Sequence, residues 1–83
     1  MPIVYTGLPI VLSKFPDHQA TIKRLFKENV TFQTLCEDYR QCFEALKYWN
    51  RSASEEAPAR REEYGGLLRD LAEEILQSVN EQK

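Results

Sequence analysis

Residues 32–50 read FQTLCEDYRQCFEALKYWN, and this stretch decides the fold. Phe32, Leu35, Tyr39, Cys42, Leu46 and Trp49 recur at spacings of 3, 4, 3, 4 and 3. That repeat lays one apolar seam along a helix of the kind that packs against a second helix. Cys36 and Phe43 each follow a seam residue and widen the stripe. Glu37, Asp38, Arg40, Gln41, Glu44 and Lys47 fall on the other face, where Glu44 and Lys47 are spaced to pair.

Downstream, residues 51–57 (RSASEEA) read as a connection. Ser54 is suited to cap a helix over 55–80, with Glu55 and Glu56 in its first turn and Pro58 early enough to be tolerated. The apolar positions of that helix are Tyr64, Leu68, Leu71, Ile75 and Val79, with Leu67 and Leu76 beside them. Folding the two helices back on each other matches Trp49 with Tyr64, Leu46 with Leu68, Cys42 with Leu71, Tyr39 with Ile75 and Leu35 with Val79. Five apolar layers therefore align in an antiparallel hairpin centred near Glu56-Ala57. The pair Gly65-Gly66 interrupts the second helix at a cost of about 1 kcal/mol per glycine relative to alanine. In this register the pair faces the aromatic half of the hairpin. It makes room either for the Trp49 ring or for a partner's side chain.

Upstream, residues 16–28 predict a short helix. Pro16 fits its first position, Asp17 its positive end, and Ile22, Leu25 and Phe26 its apolar stripe. Asn29 or Thr31 is placed to cap the helix that follows. Residues 1–14 contain Pro2, Gly7 and Pro9 among seven large apolar residues, and read as a non-helical apolar arm or tail. The organisation predicted is an arm over 1–14 and one helical domain over 15–83, with helices at 16–28, 32–50 and 55–80. The fold class is all-α.

The run Phe15-Pro16-Asp17-His18, then Ile22 and Leu25, the break Asn29-Val30-Thr31-Phe32, then Leu35, Glu37 and Tyr39 resembles the YdcH-like proteins. These are small bacterial helical hairpins of unknown function. The similarity extends loosely through Glu63-Tyr64 to the Leu68–Leu76 stretch. It implies a hairpin and carries over no catalytic residue. The chain differs from that family at Gly65-Gly66 and in the Ala45-Leu46-Lys47-Tyr48-Trp49 run.

The composition narrows the functions available. The chain has 83 residues, 42% of them hydrophobic and 29% charged, which is enough apolar content for one thin core. Its net charge of −2 makes nucleic-acid attraction a local matter at most. It lacks the run of about 18 apolar residues that a membrane span requires. Its start has no basic residue ahead of the apolar run, so it makes a poor secretory signal. A cytoplasmic, bacterial-style protein is the expectation.

Cys36 and Cys42 are about 9 Å apart along one helix, beyond a disulfide's reach of roughly 7 Å, and read as small core residues. His18 is the single histidine and reads as a solvated first-turn residue. No metal site, cofactor site, phosphate loop or activated nucleophile can be assembled, and an enzyme is not expected.

Two surfaces remain. Phe43, Tyr48, Trp49 and Leu67 are the candidate partner-binding residues, because aromatic side chains anchor interfaces. They imply a protein-interaction or adaptor module. The alternative is a nucleic-acid-associated protein using Lys23, Arg24 and Lys27. A hairpin alone leaves Cys36, Phe43, Leu67 and Leu76 partly uncovered. A homodimer in a four-helix bundle, with the arm covering or crossing the partner, would bury them at about 25 cal/mol per Å². A monomer whose first helix and arm fold back over the stripe is the competing arrangement.

Overall fold

The computed structural model describes residues 7–81. Helix α1 spans Gly7–Lys14, a 3₁₀ turn spans Pro16–His18, and α2 spans Gln19–Glu28. The long helices are α3, Val30–Arg51, and α4, Ala57–Asn80. The described residues hold no strand, and the architecture is all-α.

Helices α3 and α4 pack as the expected hairpin. One flank of their junction brings Thr31, Thr34, Leu35 and Asp38 beside Glu74, Gln77, Ser78 and Glu81, in keeping with the register read from the two stripes. Near the turn, Arg61 Nη1 donates to the Trp49 carbonyl at 3.2 Å, and the Ser52 amide donates to the same oxygen at 3.2 Å. That carbonyl thus ties the end of α3 to the start of α4. The break before α3 is a single extended residue, Asn29, whose Oδ1 accepts from the Phe32 amide at 3.1 Å. Of the two caps considered, Asn29 is the one used. Ser54 does not cap α4. Its hydroxyl accepts from the Glu56 amide and its carbonyl from the Ala57 amide, so Glu55 and Glu56 form a turn and the helix starts at Ala57.

The largest departure from expectation is α1. The stretch 1–14 was read as a non-helical arm, yet Gly7–Lys14 is helical; residues 1–6 of that stretch lie outside the described residues. Gly7 is the first described residue of the helix and Pro9 the third. In a first turn the amide that proline lacks has no intrahelical partner to lose. Helix α1 lies against its own chain's α3, folded back over the stripe. Its approach is very close. A Cβ on Gly7 would come within 2.5 Å of the Cys36 carbonyl oxygen and 2.6 Å of Glu37 Oε2. Glu37 Oε2 accepts from the Gly7 amide at 2.6 Å, placing a carboxylate at the positive end of α1.

The core forms where α1 and α2 close over the hairpin. Val11, Ile22, Cys36 and Ile75 are fully buried there, with Leu25, Phe26, Phe32, Tyr39 and Val79 almost so. Each large aliphatic side chain in that set contributes about 1.5–3 kcal/mol. Cys36, expected to lie partly uncovered, is therefore covered within the chain. Toward the turn, Ala57 is the one residue buried among described positions 43–68, and the remaining apolar side chains there are half-buried or exposed.

Candidate interaction surface

The surface begins where α1 ends. Beyond Lys14 the trough between α3 and α4 continues uncovered, as a groove of about 420 Å³ lined by Tyr39, Phe43, Leu46, Gly65 and Leu68. Lys14 and Arg69 are the charged residues of its wall, and neither forms an ion pair among the described residues. A second groove of about 420 Å³ lies on the other side of Phe43, lined by Pro9, Ile10, Ser13, Lys14 and Tyr39. The Phe43 ring thus forms a ridge between two apolar grooves. Lys47 Nζ stands 5.6 Å from its centroid, within cation–π range.

The four candidate residues do not gather into one patch. Six positions separate Phe43 from Trp49, which at 3.6 residues per turn places them about 120° apart around α3. Trp49 is half-buried and stacks edge-on with Tyr48, centroids 5.0 Å apart and planes at 85°. Tyr48 is 64% exposed and borders a third depression, with Glu44, Lys47, Arg51 and Ser52. Leu67 is 42% exposed on α4, two positions from Gly65 and hence on the opposite flank of that helix. Phe43 therefore belongs to the grooves, Tyr48 and Trp49 to a separate aromatic pair, and Leu67 to neither.

Gly65 and Gly66 do not house the Trp49 ring. A Cβ at either position would meet nothing within 4 Å, so the space beside them is open. The groove residues that are not among the four candidates are Leu46, Leu68, Tyr39, Gly65, Lys14 and Arg69. The hairpin register signalled the first two. The last two depend on where α1 ends.

The remaining candidates show little built structure. Lys23, Arg24 and Lys27 are exposed on α2 and enter no ion pair among the described residues, and no aromatic ring lies exposed beside them on that helix. His18 is half-buried. No group of three or more His, Cys, Asp or Glu among the described residues is placed to hold a metal ion. Burial, with Glu37 nearby, pushes the Cys36 thiol up to about 12. Burial, and then Asp38, also raises that of Cys42. Neither thiol is activated as a nucleophile. No described helix is long and apolar enough to cross a membrane.

Comparison with known proteins adds no relative: no protein-family model, no curated protein and no solved structure matches the chain. The resemblance to YdcH-like proteins rests on the residues quoted above.

Proposed function

We propose that the chain is a small protein-interaction module that works through the turn-proximal half of its hairpin and also associates with itself. One observation carries this reading. Helices α1 and α2 cover the apolar trough over half its length, and the remainder, around Phe43, Leu46 and Leu68, is open. Water gains access to apolar surface that the rest of the same trough buries, so a second apolar surface placed there would be stabilised. Recognition rests on the Phe43 ridge, with the cations Lys14 and Lys47 setting orientation. Tyr48 and Trp49 form a second, smaller contact at the hairpin's end.

Self-association is tested by sedimentation equilibrium of the wild type, and partner capture by pull-down with the wild type and with Phe43→Glu, with helicity followed by circular dichroism. The reading requires a mass above 9.7 kDa at high concentration or capture of a partner protein. Phe43→Glu should lose that capture and keep its helicity. Trp49→Ala separates packing from contact in the same way, since loss of folding assigns Trp49 to the core. A wild type that stays at 9.7 kDa up to about 1 mM and retains no partner overturns the proposal.

A further inference from the structure

We infer that two copies of this chain pair antiparallel along the outer face of α4, about a two-fold axis at the level of Leu71. The inference rests on the self-association proposed above and specifies where it occurs. Helix α4 carries a second repeat besides its inward stripe. Glu62, Gly66, Arg69, Glu73, Leu76 and Asn80 recur at spacings of 4, 3, 4, 3 and 4. At 3.6 residues per turn these six positions share one side of the helix, turned away from Leu68, Leu71 and Ile75. All are exposed except Gly66, which is half-buried, and the protein covers none of them fully.

The order of residues in this seam is self-complementary. Arg69 and Glu73 lie two positions either side of Leu71, Gly66 and Leu76 five, and Glu62 and Asn80 nine. A two-fold axis at that level therefore sets each Arg69 opposite the other copy's Glu73. It also sets each Leu76 opposite a Gly66, and each Glu62 opposite an Asn80. Every one of these pairings is attractive or neutral. A parallel pairing would instead set Arg69 on Arg69 and Glu73 on Glu73. Neither Arg69 nor Glu73 has an ion-pair partner among the described residues, and their pairing across the axis would form twice.

The glycine gains a role in the same arrangement. Nothing lies within 4 Å of where a Gly66 side chain would begin, while Leu76, 37% exposed, projects on the same side of the helix. The notch at Gly66 fits a leucine from a helix packed close by, so a glycine inside α4 that no contact within the chain explains is accounted for by a neighbour. Because the seam holds one leucine per copy, the pairing is weak, with a dissociation constant on the order of tens of micromolar or above.

The test uses two charge reversals of the full chain, Arg69→Glu and Glu73→Arg, followed by sedimentation equilibrium. Each variant alone places four like charges at the axis, and its self-association should weaken by about tenfold or more. An equal mixture restores both pairs across the axis, because the two carboxylates of one variant face the two guanidinium groups of the other. That mixture should associate about as strongly as the wild type. No change confined to one chain produces such a rescue. Gly66→Leu fills the notch and should abolish association while helicity holds or rises, which excludes unfolding as the cause. If the wild type associates but ignores the reversals, or the mixture fails to associate, the α4 seam is wrong and self-association elsewhere stands. If the wild type is monomeric at about 1 mM, the α4 seam and self-association both fall, and the interaction reading is then decided by partner capture alone.

Discussion

Gly7 and Gly65 are the same residue under opposite constraints. At Gly7 a methyl group would press on the Cys36 carbonyl and the Glu37 carboxylate, and the carbonyl, being backbone, cannot yield without lifting α1. Gly7→Ala should therefore destabilise the fold by about 1–3 kcal/mol in urea titration. Gly65 lies in open space inside a helix, so Gly65→Ala should stabilise by about 0.5–1 kcal/mol in the same assay. Cys36 yields a pH prediction. Its native thiol holds its proton to about 12, whereas in the unfolded chain it ionises near 9.0. Below that value the thiol adds no pH dependence. Above it the unfolded state is favoured increasingly, so stability falls as the solution becomes more alkaline. Tyr39, also raised by burial, acts in the same direction above its ordinary value of 10.0. The urea midpoint should be lower at about pH 10.5 than at about pH 8, by a free energy on the order of 1 kcal/mol, and the drop should shrink in Cys36→Ala.

At the scale of elements, two side chains decide where helices begin. Asn29 caps α3 from the adjoining position, and Asn29→Ala should cost about 1 kcal/mol, measured by thermal or urea unfolding. Glu37 caps α1 from a residue 30 positions away. Glu37→Ala should speed amide exchange across residues 7–14 much more than across α3 and α4. These two cases also separate what the chain's local pattern revealed from what it did not. The long helices, their register and the Asn29 cap depend on residues within a turn or two of each other, or on stripes readable one helix at a time. Helix α1 depends on a distant carboxylate and on the burial of Val11 beneath other elements, so its Gly and Pro looked like breakers when they are merely first-turn residues. The candidate surface was half legible for a similar reason. Phe43 was found because it borders the seam. Trp49 joins it as an aromatic at the seam's end and Leu67 as a residue beside the α4 stripe, although rotation around each helix sends them to other flanks. Lys14 acquires its place beside the groove once α1 is known to be a helix.

At the scale of the whole molecule the core is one-ended. The Cα radius of gyration is 13.9 Å, against about 12 Å for a compact domain of this length, and the extents are 44 × 32 × 20 Å. The buried side chains gather away from the hairpin turn, so protection from hydrogen exchange should be graded. Amides around Phe32–Tyr39 and Ala72–Val79 should exchange slowest, and those of 43–68 distinctly faster, by mass spectrometry or NMR. A uniform profile would contradict the one-ended core. The same feature governs how the chain can fold while it is being made. The buried set joins Val11, near its start, to Ile75 and Val79, near residue 80. Helices α1 and α2 are made long before Ile75 and Val79, the α4 share of that core, although α3, against which both chiefly pack, is made soon after them. Until α4 is made, Ile22, Leu25 and Phe26 rest on α3 with one side of the core still open. A nascent chain halted before Ile75 therefore displays an apolar stripe to the cell's chaperones, and a few further residues hide it. Self-sufficiency arrives late and nearly at once.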